Sequence, residues 1–154
     1  LSLHGRGQLA MDMILREGFP SYRHWSDEGI TTMAETWNRT NSDNHHMFSD
    51  VCRWFIRYVA GLGKMDFQRR TITFIPDFVS PLDYAEASTE SGAGKFSCRW
   101  ERRPGGFDFT CLVPGDFSVT LAPAGPGRAV EAAGEKAEAD GHIRRDFFIK
   151  APGT

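Results

Sequence analysis

Two runs of alternating side chains, KFSCRWERR and GFDFTCLV, stand on either side of the dipeptide Pro104-Gly105. A Pro-Gly pair between such runs is a turn signal, because proline presets one dihedral and glycine tolerates the positive φ of a tight turn. With this pair as the loop, Arg103 faces Gly106 and the remaining pairing follows. Trp100 then faces Phe109, Cys98 faces Cys111 and Phe96 faces Val113. All six side chains are apolar and fall on one side of the pleat, and a slip of one residue would turn them toward solvent. The hairpin therefore commits the chain to an antiparallel sheet with one buried face, which requires a second layer.

The flanking sequence supplies candidates for that layer. After Gly63 the apolar period is two. Ile72 and Phe74 before Pro76 predict a strand, Tyr84 to Ser88 a second, Ser118 to Leu121 another after the turn at Pro114-Gly115, and HIRRDFFIK a last one. Ala122 to Gly141, rich in Ala, Gly, Pro and charge, reads as an exposed loop or insertion with a short helix. Residues 63–154 are thus expected to form a small antiparallel β-sandwich or jelly roll. Cys98 and Cys111 are expected as two packed thiols, since a directly cross-strand disulfide is geometrically demanding.

Before Gly63 the pattern is helical. Leu9, Met13 and Ile14 share a face, with Gly18-Phe19-Pro20 as a stop signal. From Asn44 to Leu62, apolar residues at Phe48, Val51, Cys52, Phe55, Ile56, Val59 and Leu62 predict one long amphipathic helix. Ser42 or Asp43 would cap it and Gly61 or Gly63 would end it. Two such helices cannot bury two stripes between themselves, so they call for further partners. The opening LSLHGRGQLAMDM has no initiator Met and no signal-peptide pattern, and is expected to continue from a longer chain, so the compartment cannot be read.

A net charge of −2 over 154 residues argues against a nucleic-acid binder, which normally carries a basic face. No apolar run reaches the roughly 18 residues of a membrane-spanning helix. Three scattered cysteines make neither a disulfide scaffold nor a zinc site.

The ordered series GFPSYRHWSDEGITTMAETWN, NHHMFSDVCRWFIRYVAGL and TITFIPDF resembles the C-terminal portion of bacterial α-L-rhamnosidases of glycoside hydrolase family 78. The resemblance runs to about Pro123. It implies an α+β fragment: residues 1–62 as the terminal helices of an (α/α)6 catalytic barrel, then an antiparallel β-sandwich over 63–154. It further implies inverting hydrolysis of terminal α-L-rhamnosides, with a rhamnose-containing glycoside or oligosaccharide as substrate, the upstream barrel helices as partners, and no cofactor or metal. Glu35 takes the place of the general base, His45 and Asn44 that of a sugar-contacting step, and Trp37 that of a pocket aromatic. The general acid would lie upstream of this chain.

The chemistry suits those residue types. Inversion needs one carboxylate to deprotonate water and a protonated carboxyl across the sugar, roughly 6.5–9.5 Å away. Tryptophan offers a flat apolar face to the C–H side of a deoxy sugar. The chain departs from the family pattern at Ala34, Asn38 and Ser49, which alters the pocket wall while keeping Glu35. Taken alone, Glu35 reads as a solvated glutamate, Asp27-Glu28 as a solvated turn, and Trp54, Tyr58 and Trp100 as packing residues. Adjacent His45 and His46 are expected to point apart, without a third ligand for a metal. A non-catalytic carbohydrate-binding or structural sandwich is the alternative reading, and the inward-facing aromatics Phe96, Trp100, Phe107 and Phe109 weigh against a sugar-binding surface.

Overall fold

A computed structural model describes residues 1–125 and 127–151; residue 126 and residues 152–154, within the span read above as sandwich, lie outside it. The sequence up to Leu62 folds into short helical pieces. After a 3-10 turn at Ser2–His4 come α1 (Gly7–Ile14), α2 (Tyr22–Asp27), a 3-10 turn at His46–Phe48 and α3 (Asp50–Trp54). Helix α3 runs directly into a π-helical turn, Phe55–Val59, marked by the i→i−5 bond from Ala60 N–H to Phe55 O at 2.8 Å. Gly61, at φ 97°, turns the chain out of this helix, as expected of a glycine stop. A side chain is excluded there, since a Cβ would lie 2.8 Å from the Pro76 backbone.

Two expectations for this half need correction. The long helix starts at Asp50, not after Ser42 or Asp43, because Glu35 N–H donates to Ser42 O (2.8 Å) and His45 N–H to Met33 O (2.7 Å). Those bonds hold residues 42–45 against residues 33–35, and His45 is extended (φ −137°, ψ 142°). On α1 the buried apolar side chain is Met11; Leu9 and Met13 are 47% and 61% exposed. Leu1, Leu3, Leu15, Phe19, Met47 and Ile56 are exposed as well, so the helical half leaves much of its apolar surface uncovered.

The rest is strand. Sheet one comprises β1 (Lys64–Asp66), β2 (Thr71–Phe74) and β6 (Ser118–Leu121) in the order β1-β2-β6. Sheet two comprises β3 (Tyr84–Ser91), β4 (Gly94–Arg103), β5 (Gly106–Pro114), β7 (Val130–Ala137) and β8 (His142–Lys150) in the order β3-β4-β5-β8-β7. The hairpin forms in the expected register, with Arg103↔Gly106, Trp100↔Phe109 and Cys98↔Cys111 as partners. Phe96 and Val113, beyond that ladder's last paired residues, are fully buried with them. Ile72 and Phe74 of β2 pack on these residues from the other sheet, so the shared core lies between the two layers.

The sandwich differs from expectation in two ways. Sheet one is mixed, with β2 and β6 parallel, because the chain builds β3, β4 and β5 in the other sheet before returning. Part of the stretch read as a loop is strand β7, antiparallel to β8 with a register shift between Ala132 and Gly134. Its sequence VEAAGEKA hides this, because every residue is exposed and no apolar alternation is required. Cys98 and Cys111 are free, buried thiols, and burial pushes both up to about 12.

The halves are joined through the π turn. The Trp100 indole N–H donates to Val59 O at 2.6 Å, and the Cys98 thiol donates to Ala60 O at 3.3 Å. Farther out, the Gln8 side-chain amide donates to Ser80 O (3.1 Å) and accepts from Ser80 N–H (2.8 Å). Asp77 is buried against the start of α1, where a Cβ on Gly7 would meet its Oδ2 at 1.7 Å. Burial raises the Asp77 pKa above the ordinary carboxylate value, opposed by a hydrogen bond from Ser2 and the charge of Arg128.

Two outcomes follow. Trp100→Phe strands the Val59 carbonyl and leaves a void where the larger indole sat, and should cost at least about 1–3 kcal/mol in urea unfolding. Asp77 holds its proton more tightly folded than unfolded, so its stabilising contribution is complete below the unfolded value, near ~3.9, and is lost as pH rises through the raised value. Unfolding free energies measured across that window should therefore fall less with rising pH in Asp77→Asn than in the unmodified chain.

Candidate active site

The site is assembled from one loop and the two helical pieces that bracket it. Ser21 caps α2, its Oγ accepting from His24 N–H at 3.0 Å. This sets Trp25 inward, 3% exposed, with its indole N–H donating to Trp37 O at 2.9 Å. The Trp37 ring packs in a three-ring cluster with Trp25 and Phe48, at centroid distances of 4.6 and 4.4 Å, the latter two themselves 5.6 Å apart, and meets Tyr22 edge-on at 5.2 Å. Tyr22 O–H donates to Phe48 O at 3.0 Å. Four aromatic rings thus tie α2, the loop and the turn before α3 into one unit. Burial, with the nearby Cys52 and Asp50, raises the Tyr22 pKa, keeping that hydroxyl a donor.

Glu35 sits half-buried on this loop, next to a fully buried Ala34. Besides the backbone bond already described, its Oε2 accepts from Ser42 N–H at 3.4 Å. Ser42 Oγ in turn accepts from Asn44 N–H (3.2 Å) and donates to Asn44 O (3.1 Å), leaving Asn44 exposed. At the loop tip Arg39 adopts a positive φ of 55° and grips Asp43 with two bonds, 2.8 and 3.0 Å. That grip holds the Asp43 pKa below the ordinary carboxylate value. Thr32 Oγ1 donates to Asp43 O, closing the loop base.

His45 accepts from Met47 N–H through Nδ1 at 3.1 Å. In the neutral ring the proton therefore sits on Nε2, which becomes a hydrogen-bond donor. Contrary to expectation, the His45 and His46 rings do not diverge; they stack at 4.7 Å with planes 15° apart, because the 3-10 turn starting at His46 brings them together. Asp27 and Glu28 are exposed and engaged with Arg23 (3.6 Å) and His24 (3.5 Å). Among the described residues no group of three or more His, Cys, Asp or Glu could hold a metal ion. Beside the loop runs an apolar groove of about 440 Å³, whose lining includes Met13, Tyr22, Trp37, Phe48 and Trp54.

Of the four residues singled out in the sequence, Glu35 and His45 lie on facing arms of the same closed loop, and Asn44 adjoins them. Trp37 packs on Trp25 and Phe48, stays partly exposed and lines the groove. Sequence reasoning missed the Arg39–Asp43 grip and the roles of Tyr22, Trp25 and Phe48. An opposite-charge pair four apart inside a loop was the available signal for the first.

Residues 1–59 match the family model described as the bacterial α-L-rhamnosidase 6 hairpin glycosidase domain, and residues 67–138 that of the bacterial α-L-rhamnosidase C-terminal domain. The chain belongs to the bacterial α-L-rhamnosidase family. The α-L-rhamnosidase of Alteromonas sp. (strain LOR) is 28% identical over 147 residues, 87% of this chain and 16% of that relative. The α-L-rhamnosidase of Streptomyces avermitilis is 31% identical over 121 residues, 71% of this chain and 12% of that relative. This chain therefore spans only a small part of the rhamnosidases it matches.

The fold agrees. The crystal structure of Streptomyces avermitilis α-L-rhamnosidase complexed with L-rhamnose superimposes with a TM-score of 0.74 at 24% identity, covering 96% of this chain and 16% of that one. The Dictyoglumus thermophilum α-L-rhamnosidase gives 0.73 at 24% identity, covering 94% and 19%.

If the ion pair sets the loop, Asp43→Asn should speed hydrogen exchange at the Glu35 and His45 amides several-fold, while the Cys98 and Phe109 amides of the sandwich keep their protection.

Proposed function

We propose that this chain forms part of a longer inverting α-L-rhamnosidase: residues 1–62 the last helices of an (α/α)6 barrel, and residues 63–154 its C-terminal sandwich. Glu35 is the general base, and the general acid comes from a part of the barrel outside this chain. The observation that carries the reading is the closed loop that holds a half-buried Glu35 on one arm and His45 on the facing arm, within a segment matched by the rhamnosidase hairpin-domain model.

In this reading Glu35 takes a proton from water as the water attacks the anomeric carbon of a terminal α-L-rhamnoside. Ser42 N–H steadies the carboxylate, and His45 Nε2–H and Asn44 donate to sugar oxygens. Trp37 serves the pocket as part of its wall and by holding the loop. The uncovered apolar side chains of the helical half meet the remaining barrel helices. The sandwich has a structural part, gripping the carbonyls of the π turn through Trp100 and Cys98.

In the longer protein, Glu35→Gln should lower kcat by about 10²–10⁴-fold while L-rhamnose binding persists. Turnover equal to the unmodified enzyme would overturn the assignment. The 154-residue chain alone should not hydrolyse a rhamnoside, because its helices cannot enclose a sugar between two carboxyl groups. Measurable release of L-rhamnose by the purified chain would contradict this.

A further inference from the structure

Sheet two turns one face to the core and leaves the other to solvent, and the register dictates what lines that outer face. Ser88 pairs with Ser97, Ser97 with Leu112, and Leu112 with Arg144, giving one outward row across four strands. The next row is Glu86, Arg99, Thr110 and Asp146. The first row is short at its Ser88–Ser97 end, and the hairpin end at Glu138–Asp140 stands up beside it. The result is a trough of about 920 Å³, remote in sequence from the loop that carries Glu35.

The side chains of the second row are paired with one another at the surface. Arg99 binds Glu86 at 2.9 Å, Thr110 donates to Asp146 at 2.6 Å, and Arg144 reaches the same carboxylate at 3.1 Å. A guanidinium has five N–H donors and a carboxylate about four acceptor positions, so each of these groups keeps capacity beyond its partner here for hydroxyls on a ring. Leu112, half-buried in the trough floor, offers one apolar contact.

Charge narrows the ligand. Glu86, Glu138 and Asp140 balance Lys95, Arg99 and Arg144 within the trough, so the lining favours neither a polyanion nor a cation. A single leucine is too little for an apolar ligand. The Tyr84 ring at the sheet edge is covered by the Arg99 guanidinium at 4.3 Å, leaving no open aromatic platform there. What remains is a neutral, hydroxyl-rich molecule held by hydrogen bonds.

We propose that this trough is a second, non-catalytic site that binds a neutral oligosaccharide. The site is independent of Glu35 and rests on the rhamnosidase reading only for the choice of sugar. Without aromatic stacking its strength is at the weak end, with Kd on the order of 1 mM.

The test is an NMR titration of the ¹⁵N-labelled chain with a neutral L-rhamnosyl disaccharide, and in parallel with an acidic oligogalacturonide. Saturable shifts at the Ser88, Ser97, Thr110 and Arg144 amides, larger for the neutral sugar, are expected. Arg99→Ala should weaken the binding about tenfold. Ser97→Trp, which fills the hollow from the solvent side and leaves the core spectrum unchanged, should abolish it. No saturable shift in the trough, preference for the acidic sugar, or binding that survives Ser97→Trp would overturn the proposal. Shifts confined to residues 33–45 would overturn it too, while supporting the catalytic loop. Full activity of Glu35→Gln, conversely, would sink the catalytic reading and leave the trough untouched.

Discussion

The indole of Trp100 reaches out of the sandwich core to the carbonyl of Val59, and the organisation of the molecule depends on that bond. A helix end leaves carbonyls without partners, and burying them unsatisfied is costly. Here the last helix widens into a π turn and delivers two such carbonyls, from Val59 and Ala60, into a sheet that answers with an indole and a thiol. The contact is polar at its centre and apolar around it, since Trp100 is wholly buried with Phe78 and Phe107 packed on its ring. Position and orientation of the helical half are thereby set by a strand far along the chain.

The candidate site is built on a different principle. Its loop has no regular secondary structure, so its shape comes from a ring cluster on one side and an ion pair at the tip. Trp37 illustrates the division of labour. A tryptophan packed on two neighbouring rings helps hold the carboxylate two residues earlier to one place. Such rigidity suits the role proposed for Glu35, since misplacing a reacting group by about 1 Å can cost on the order of 10²-fold in rate.

The sandwich was the more legible half. The Pro104-Gly105 hairpin specifies its own partners and its own buried face, and β6 and β8 are bounded by plain turn signals. Strand β7 was hidden, because an edge strand facing solvent on both sides carries no periodicity to read. The parallel pairing of β2 with β6 was hidden for another reason: nothing local records which distant strand a segment will join. In the helical half, periodicity located the buried Val59 and Leu62 but misjudged Leu9 and Met13, because a stripe can be apolar without finding a partner in the same chain. At the site, residue types and motif order pointed to Glu35 and His45. The tautomer of His45 was not legible, since it depends on a single bond from Met47 N–H.

The parallel neighbours β2 and β6 have a bearing on the order of assembly. The β4–β5 hairpin is local and closes quickly, whereas β2 must wait for β6 until the whole of β3, β4 and β5 has been laid down. During synthesis the helical segment leaves the ribosome well before Trp100, and its terminal carbonyls have no docking surface until the later strands collapse. Settling of the π turn is therefore coupled to strands made after it. Truncation within the sandwich would be felt at the other end of the molecule as a helix that never settles.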